Sequence, residues 1–215
     1  MSKRISLWLV VVGMLLLSQI GYCQVVTIGF GGVVRNDGYG FAAGDAATGY
    51  YVYDTSAVDT ATRIDLGCYE FSQSPFGMYL EINGHVWQTD PLQISYHVEI
   101  IDGDLSQPMS YDTYSARSYT NVYNYSQPDG GPFYDFGLYL GLYGISSDAV
   151  ISDSLPLTAP DLSKFDYKFI SIDWDPHNSM YVDITDMWVV PEPAMFGLLA
   201  FGSLLLRRKK RTRNS

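Results

Sequence analysis

Between Leu92 and Ile101 the chain alternates side chains with a period of two: Leu92, Ile94, Tyr96, Val98 and Ile100 against Gln93, Ser95, His97, Glu99 and Ile101. That period puts one set on each face of an extended strand, and a strand with one greasy face holds its register only inside a larger sheet. The same pattern recurs at Met78, Leu80 and Ile82, at Leu138, Leu140 and Leu142, and at Ile170, Ile172 and Trp174. No segment between Gln24 and Val190 keeps apolar residues at helical spacing for three turns, which excludes bundles and alternating α/β folds. Asn83-Gly84 ahead of His85-Val86-Trp87 reads as a tight hairpin turn. Gly29, Gly31 and Gly32 interrupt the apolar run Val25 to Val34, where a bulge or a close backbone approach is expected. The expectation is an all-β fold: eight to eleven short antiparallel strands forming a single jelly-roll-like β-sandwich over residues 24–190.

Both ends depart from this pattern. Lys3 and Arg4, the apolar run Ile5 to Leu17 and the more polar Ser18 to Tyr22 read as a Sec-type signal peptide spanning residues 1–23. Cys23 falls at the cleavage boundary, and its acylation as a lipoprotein would want a smaller neighbour than Tyr22. At the far end, Pro191-Glu192-Pro193 precedes an apolar run, Ala194 to Leu206, and then the basic Arg207, Arg208, Lys209, Lys210 and Arg211. The prolines uncouple the run from what precedes it. As a helix it would rise about 20 Å against roughly 30 Å of hydrocarbon, a marginal span whose basic flank stays cytoplasmic.

This order of parts resembles the sorting signal of PEP-CTERM proteins of Gram-negative bacteria, with residues 191–215 as the signal. Two further segments are similar to ones many of those proteins carry: Gly44-Asp45 with Gly49-Tyr50-Tyr51-Val52-Tyr53-Asp54, and Leu155-Pro156 with Pro160-Asp161-Leu162-Ser163-Lys164-Phe165. Residues 55–149 carry none of the likeness. The resemblance implies export through the Sec machinery and transient inner-membrane contact through the C-terminal helix. It also implies processing by an exosortase that recognises Pro191, Glu192 and Pro193, and a final place at the cell surface or in an extracellular, exopolysaccharide-containing matrix.

Between the two ends, five Lys and Arg face 22 Asp and Glu, a net charge of −17 that repels phosphate backbones and argues against nucleic acid as a partner. Cys68 is then the one cysteine left, so no internal disulfide is expected. Asp102-Gly103-Asp104, Asp173 with Asp175, and Asp183 with Asp186 offer carboxylates two at a time, whereas calcium takes six to eight oxygens. Calcium is the one cation these acidic loops suggest, and the expectation is no cofactor. His85, His97 and His177 show no metal-ligand spacing, and no nucleophile motif surrounds any Ser or Cys68.

Eighteen tyrosines exceed what a core of this size needs. Tyr111, Tyr114, Tyr119, Tyr123 and Tyr125 are read as an outward or loop cluster that could hold a glycan, with Asp102, Asp104 and Asp112 as acceptors for sugar hydroxyls. Tyr139 and Tyr143 are also read as outward. The function expected first is an exported, non-catalytic envelope or matrix protein. The alternatives are a glycan-binding, lectin-like module and a polysaccharide-active enzyme, the last requiring carboxylates that converge in a cleft.

Overall fold

The computed structural model describes residues 24–37, 40–103, 111–119, 121–124, 137–145, 148–175 and 178–191. The signal segment 1–23 lies outside the described residues, as do Asp104, Tyr125, His177 and the tail from Glu192 and Pro193 through Arg207, Arg208, Lys209, Lys210 and Arg211 to Ser215. Eleven strands are described: β1 (Val25–Val34), β2 (Ala46–Asp54), β3 (Leu66–Phe71), β4 (Gly77–Ile82), β5 (His85–Thr89), β6 (Tyr96–Ile101), β7 (Asp112–Ser118), β8 (Asn121–Asn124), β9 (Gly137–Gly144), β10 (Tyr167–Asp175) and β11 (Asn178–Val189). Every pairing between them is antiparallel, in the order β3-β6-β7-β9-β10-β11-β1-β2-β4-β5-β8. The sheet curls until β4 comes against β6 and β7 across the interior. The fold is therefore the all-β, sandwich-like architecture that the alternation implies, with both layers cut from one continuous sheet.

The period of two sorts the side chains as expected over most strands. Leu138, Leu140 and Leu142 of β9 and Ile170 and Ile172 of β10 are fully enclosed, as are Ile28 and Phe30 of β1. Asn83 (φ 51°) and Gly84 (φ 80°) both take the left-handed conformation of a two-residue hairpin between β4 and β5. The register of β1 against β11 shifts between Gly31 and Gly32, the bulge anticipated for that glycine-rich run. The strand around residues 92–101 is shorter than its pattern. Leu92 is 90% exposed, because Asp90 turns the chain: its side chain accepts the Leu92 N–H at 2.8 Å and its carbonyl accepts the Gln93 N–H at 3.2 Å. Only Tyr96, Val98 and Ile100 reach the core from that run, while Ile94 packs against its rim.

Tyrosine contributes much of the core. Tyr51, Tyr53, Tyr69, Tyr96 and Tyr114 are all buried, and Tyr51 lies within 6.2 Å, ring centre to ring centre, of both Tyr53 and Tyr114. The Tyr53 hydroxyl donates to the Pro156 carbonyl at 2.6 Å. This bond joins the segment Gly49 to Asp54 to the segment Leu155 to Phe165. In the second of them the Asp161 side chain accepts the Ser163 N–H and caps the short 3-10 turn Leu162–Lys164.

Two polar groups hold the curl together from inside. Asp112 has no exposed surface, and its two carboxyl oxygens accept the N–H groups of Gly103, Ala149 and Val150 at 2.8 to 2.9 Å. Thr89 at the end of β5 accepts the Met78 N–H at 2.8 Å and donates to the Ser118 hydroxyl of β7 at 2.8 Å, a buried bridge between the two layers.

Candidate functional site

The outer face of β3, β6, β7 and β9 forms the floor of an open groove of about 1120 Å³, slightly more than the roughly 300–1,000 Å³ of ordinary ligand sites. The antiparallel register sets its side chains in rows. Glu70, His97, Arg117 and Tyr139 stand directly opposite one another across the four strands, and Cys68, Glu99, Ser115 and Gly141 form the next row. One wall is the segment after β2. It runs along the outer edge of β3, with the Thr60 N–H donating to the Cys68 carbonyl at 2.9 Å and the Cys68 N–H donating to the Asp59 side chain at 2.9 Å.

Rings and a cation meet at the centre. The Arg117 guanidinium lies 5.0 Å from the Tyr119 ring centre and 5.3 Å from that of Tyr139, and Tyr119 also packs against the His97 ring at 5.3 Å. The Tyr139 and Tyr143 hydroxyls are hydrogen-bonded to each other. Between them Gly141 leaves the room these rings need, because a β-carbon there would stand 2.9 Å from Tyr143 and 3.0 Å from Tyr139. Beyond β9 the band of rings continues. Phe169 of β10 stacks on Tyr143 at 6.0 Å and 15° and meets Tyr181 of β11 edge-on. Arg35 lies over both Phe169 and Tyr181, and its guanidinium is forked onto Asp183.

The electrostatics follow from partial burial. Burial lowers the His97 imidazole below its ordinary value, Glu99 pulling the other way, so the ring is neutral at pH 7. Burial raises the Tyr139 hydroxyl, and its bond to Tyr143 raises it further, so Tyr139 stays a hydrogen-bonding phenol. Burial also raises the Cys68 thiol, the opposite of what a thiolate nucleophile needs. The charges facing the groove are then Glu70, Glu99 and Arg117, with Asp54 at its margin. Among the described residues no three His, Cys, Asp or Glu side chains gather as a metal centre would require.

This arrangement redraws the expected tyrosine cluster. Tyr119, just past the end of β7, is exposed (46%) and belongs to the groove, but Tyr114 within β7 is 3% exposed and points into the core, on the opposite face from Arg117 three residues on. Tyr111 is exposed (48%) yet sits at the opposite end of β7 from Tyr119, about 26 Å away at strand rise. Tyr123 pairs with Trp87 through its backbone in β8 at the far end of the sheet order, and Tyr125 lies outside the described residues. The rings that join Tyr119 come instead from β9, a strand distant in sequence. Asp112 is unavailable as a sugar acceptor, since its oxygens are taken up by three backbone N–H groups. Asp102 lies away from the groove, its carboxyl raised by burial and by Asp112. Glu70, Glu99 and Arg117 went unread because each is a single polar residue in an alternating strand, and only the pairing of β3 with β6 and β7 brings them together.

Among the described residues no helix is long and apolar enough to cross a membrane. In comparisons with known proteins, the chain matches no family model, no curated protein and no solved structure.

Proposed function

We propose that the chain is an exported, non-catalytic protein of the cell envelope or extracellular matrix whose β domain binds a glycan in the groove of β3, β6, β7 and β9. The observation that carries this reading is the cluster of Tyr119, Arg117 and Tyr139 beside Glu70, Glu99 and His97. Sugar faces stack on rings, while hydroxyls at the sugar edge need acceptors and donors close by. An open groove with rings at its centre and carboxylates on β3 and β6 meets both needs. Export and sorting rest on the N-terminal signal and on Pro191, Glu192, Pro193 and the basic stop.

The test is retention of the 24–190 domain on immobilised exopolysaccharide from its host and on a glycan array, with Tyr119→Ala and Tyr139→Ala as controls. Retention weakened in both variants is expected. A wild-type domain that is not retained, or retention indifferent to both changes, would end the glycan reading and leave a scaffold.

One feature favours a second reading, hydrolysis. Glu70 and Glu99 are diagonal neighbours on β3 and β6, positions whose backbones lie about 7–8 Å apart, which lets two long side chains bring their carboxyls to the roughly 6.5–9.5 Å of an inverting glycosidase. Such a pair needs one carboxyl enclosed in an apolar pocket, whereas Glu70 is exposed and Glu99 only half-buried, so binding is preferred. Release of new reducing ends that is lost in Glu70→Gln or Glu99→Gln would reverse that preference.

A further inference from the structure

We infer that the glycan taken by the groove is acidic, the Arg117 guanidinium receiving the carboxylate of a uronate carried on an otherwise largely neutral chain. This rests on the glycan reading of the same groove.

The inference starts from what the cations of the domain do. Arg35 is forked onto Asp183, and Arg63 onto Asp65. Lys164 donates to the Asp148 carbonyl, and Lys168 to those of Leu162 and Phe165. Arg117 is the fifth, and among the described residues no carboxylate is paired with it, although Glu70 and Glu99 stand on nearby strands of the same face. Its contacts are ring faces, Tyr119 and Tyr139. A guanidinium resting on rings keeps its edge of N–H donors available, and that planar fork matches a carboxylate. The rings also fix its plane before a ligand arrives, so less freedom is lost on binding. Arg35 shows the same stacking with the fork already occupied by Asp183, so the fold builds the complete arrangement once with its own acid and once without.

The charge of the rest of the domain narrows the class. A polymer with an acid on every sugar would be repelled by the net −17 between residues 24 and 190. A chain bearing an occasional uronate avoids most of that repulsion and still fills the one cationic position. Glu70 and Glu99 then accept hydroxyls from the neutral sugars on either side.

The experiment uses glucuronoxylan and a panel of bacterial exopolysaccharides, each presented before and after chemical reduction of its carboxyl groups, which turns uronates into neutral sugars on the same backbone. Wild-type protein, Arg117→Gln and Arg117→Lys are compared, their thermal midpoints confirming that the exposed substitutions leave the fold intact. Carboxyl reduction is expected to weaken wild-type binding to at least one polymer by about tenfold or more, the size of one charge-assisted hydrogen bond. Arg117→Gln should bind both forms at the level of wild type on the reduced form, with Arg117→Lys in between. Binding that ignores or improves on reduction, or a preference for the acidic form that survives Arg117→Gln, would overturn the inference and leave the glycan reading in place. Failure of wild type to bind any polymer in either form would remove both.

Discussion

The indole of Trp188 lies over Gly29 of the neighbouring strand, so that a β-carbon added there would stand 2.5 Å from the ring. Gly29 is thus the cross-strand partner that lets an exposed indole lie down on the sheet, next to the stacked pair Tyr50 and Tyr79. Gly29→Ala should cost about 1–3 kcal/mol by overpacking. Trp188→Ala in the same chain should recover most of that loss, because the ring is what the methyl meets. Denaturant unfolding of the two single variants and the double variant measures the coupling. Additive costs would mean that the contact is unimportant.

Asp112→Asn should be among the most destabilising single changes in the domain. The amide keeps one acceptor oxygen and turns the other position into a donor facing backbone N–H groups. A loss of about 2–4 kcal/mol is expected, with faster hydrogen exchange at Gly103, Ala149 and Val150. Exchange at these three amides unchanged from wild type would show that the carboxyl does not hold them.

The buried tyrosines set an alkaline limit. Burial raises the hydroxyls of Tyr51, Tyr96 and Tyr114 well above the ordinary 10.0. The folded domain therefore keeps protons that the unfolded chain releases above about pH 10, so stability is intact below that pH and falls as pH rises past it. Each tyrosine contributes up to about 1.4 kcal/mol per pH unit there. Tyrosinate absorbance from these residues should appear in the same cooperative step as the loss of strand signal in circular dichroism. Ionisation of all the tyrosines while the strand signal persists would contradict it.

The processing proposal yields a separate expectation. Mass spectrometry of the protein from its own cell surface should recover peptides up to Val190 and none from Ala194 onward. A tail that is still attached at Arg207 to Ser215 would refute exosortase-type removal.

The fold was legible because its strands are amphipathic. The runs at residues 78–82, 138–142 and 170–172 bury the residues their period assigns, since nothing local competes with the sheet there. Leu92 shows the limit. The alternation continues through it, but Pro91 and the acceptor on Asp90 make a turn, and local hydrogen bonds outweigh a periodic pattern at a strand end. The site was legible only in kind. Tyrosine abundance pointed to rings, but which of them face outward depends on strand parity, which turns Tyr114 inward and Tyr119 outward. Which of them meet depends on strand order, which sets β7 beside β9. Tyrosines that are close in sequence are thus divided between the two faces, and the rings that share the groove are gathered across strands.

β1 and β11 are adjacent at the middle of the sheet, and the chain enters and leaves them at the same end, where the Val190 N–H donates to the Thr27 carbonyl at 2.8 Å. Mechanically this is the geometry of a zipper. Force applied through residues 24 and 190 draws the two strands apart from that end and loads their hydrogen bonds one after another, never all together in shear. A single-molecule pulling experiment through these positions should open the domain at low force, and the first strands to part would divide the sheet through its centre.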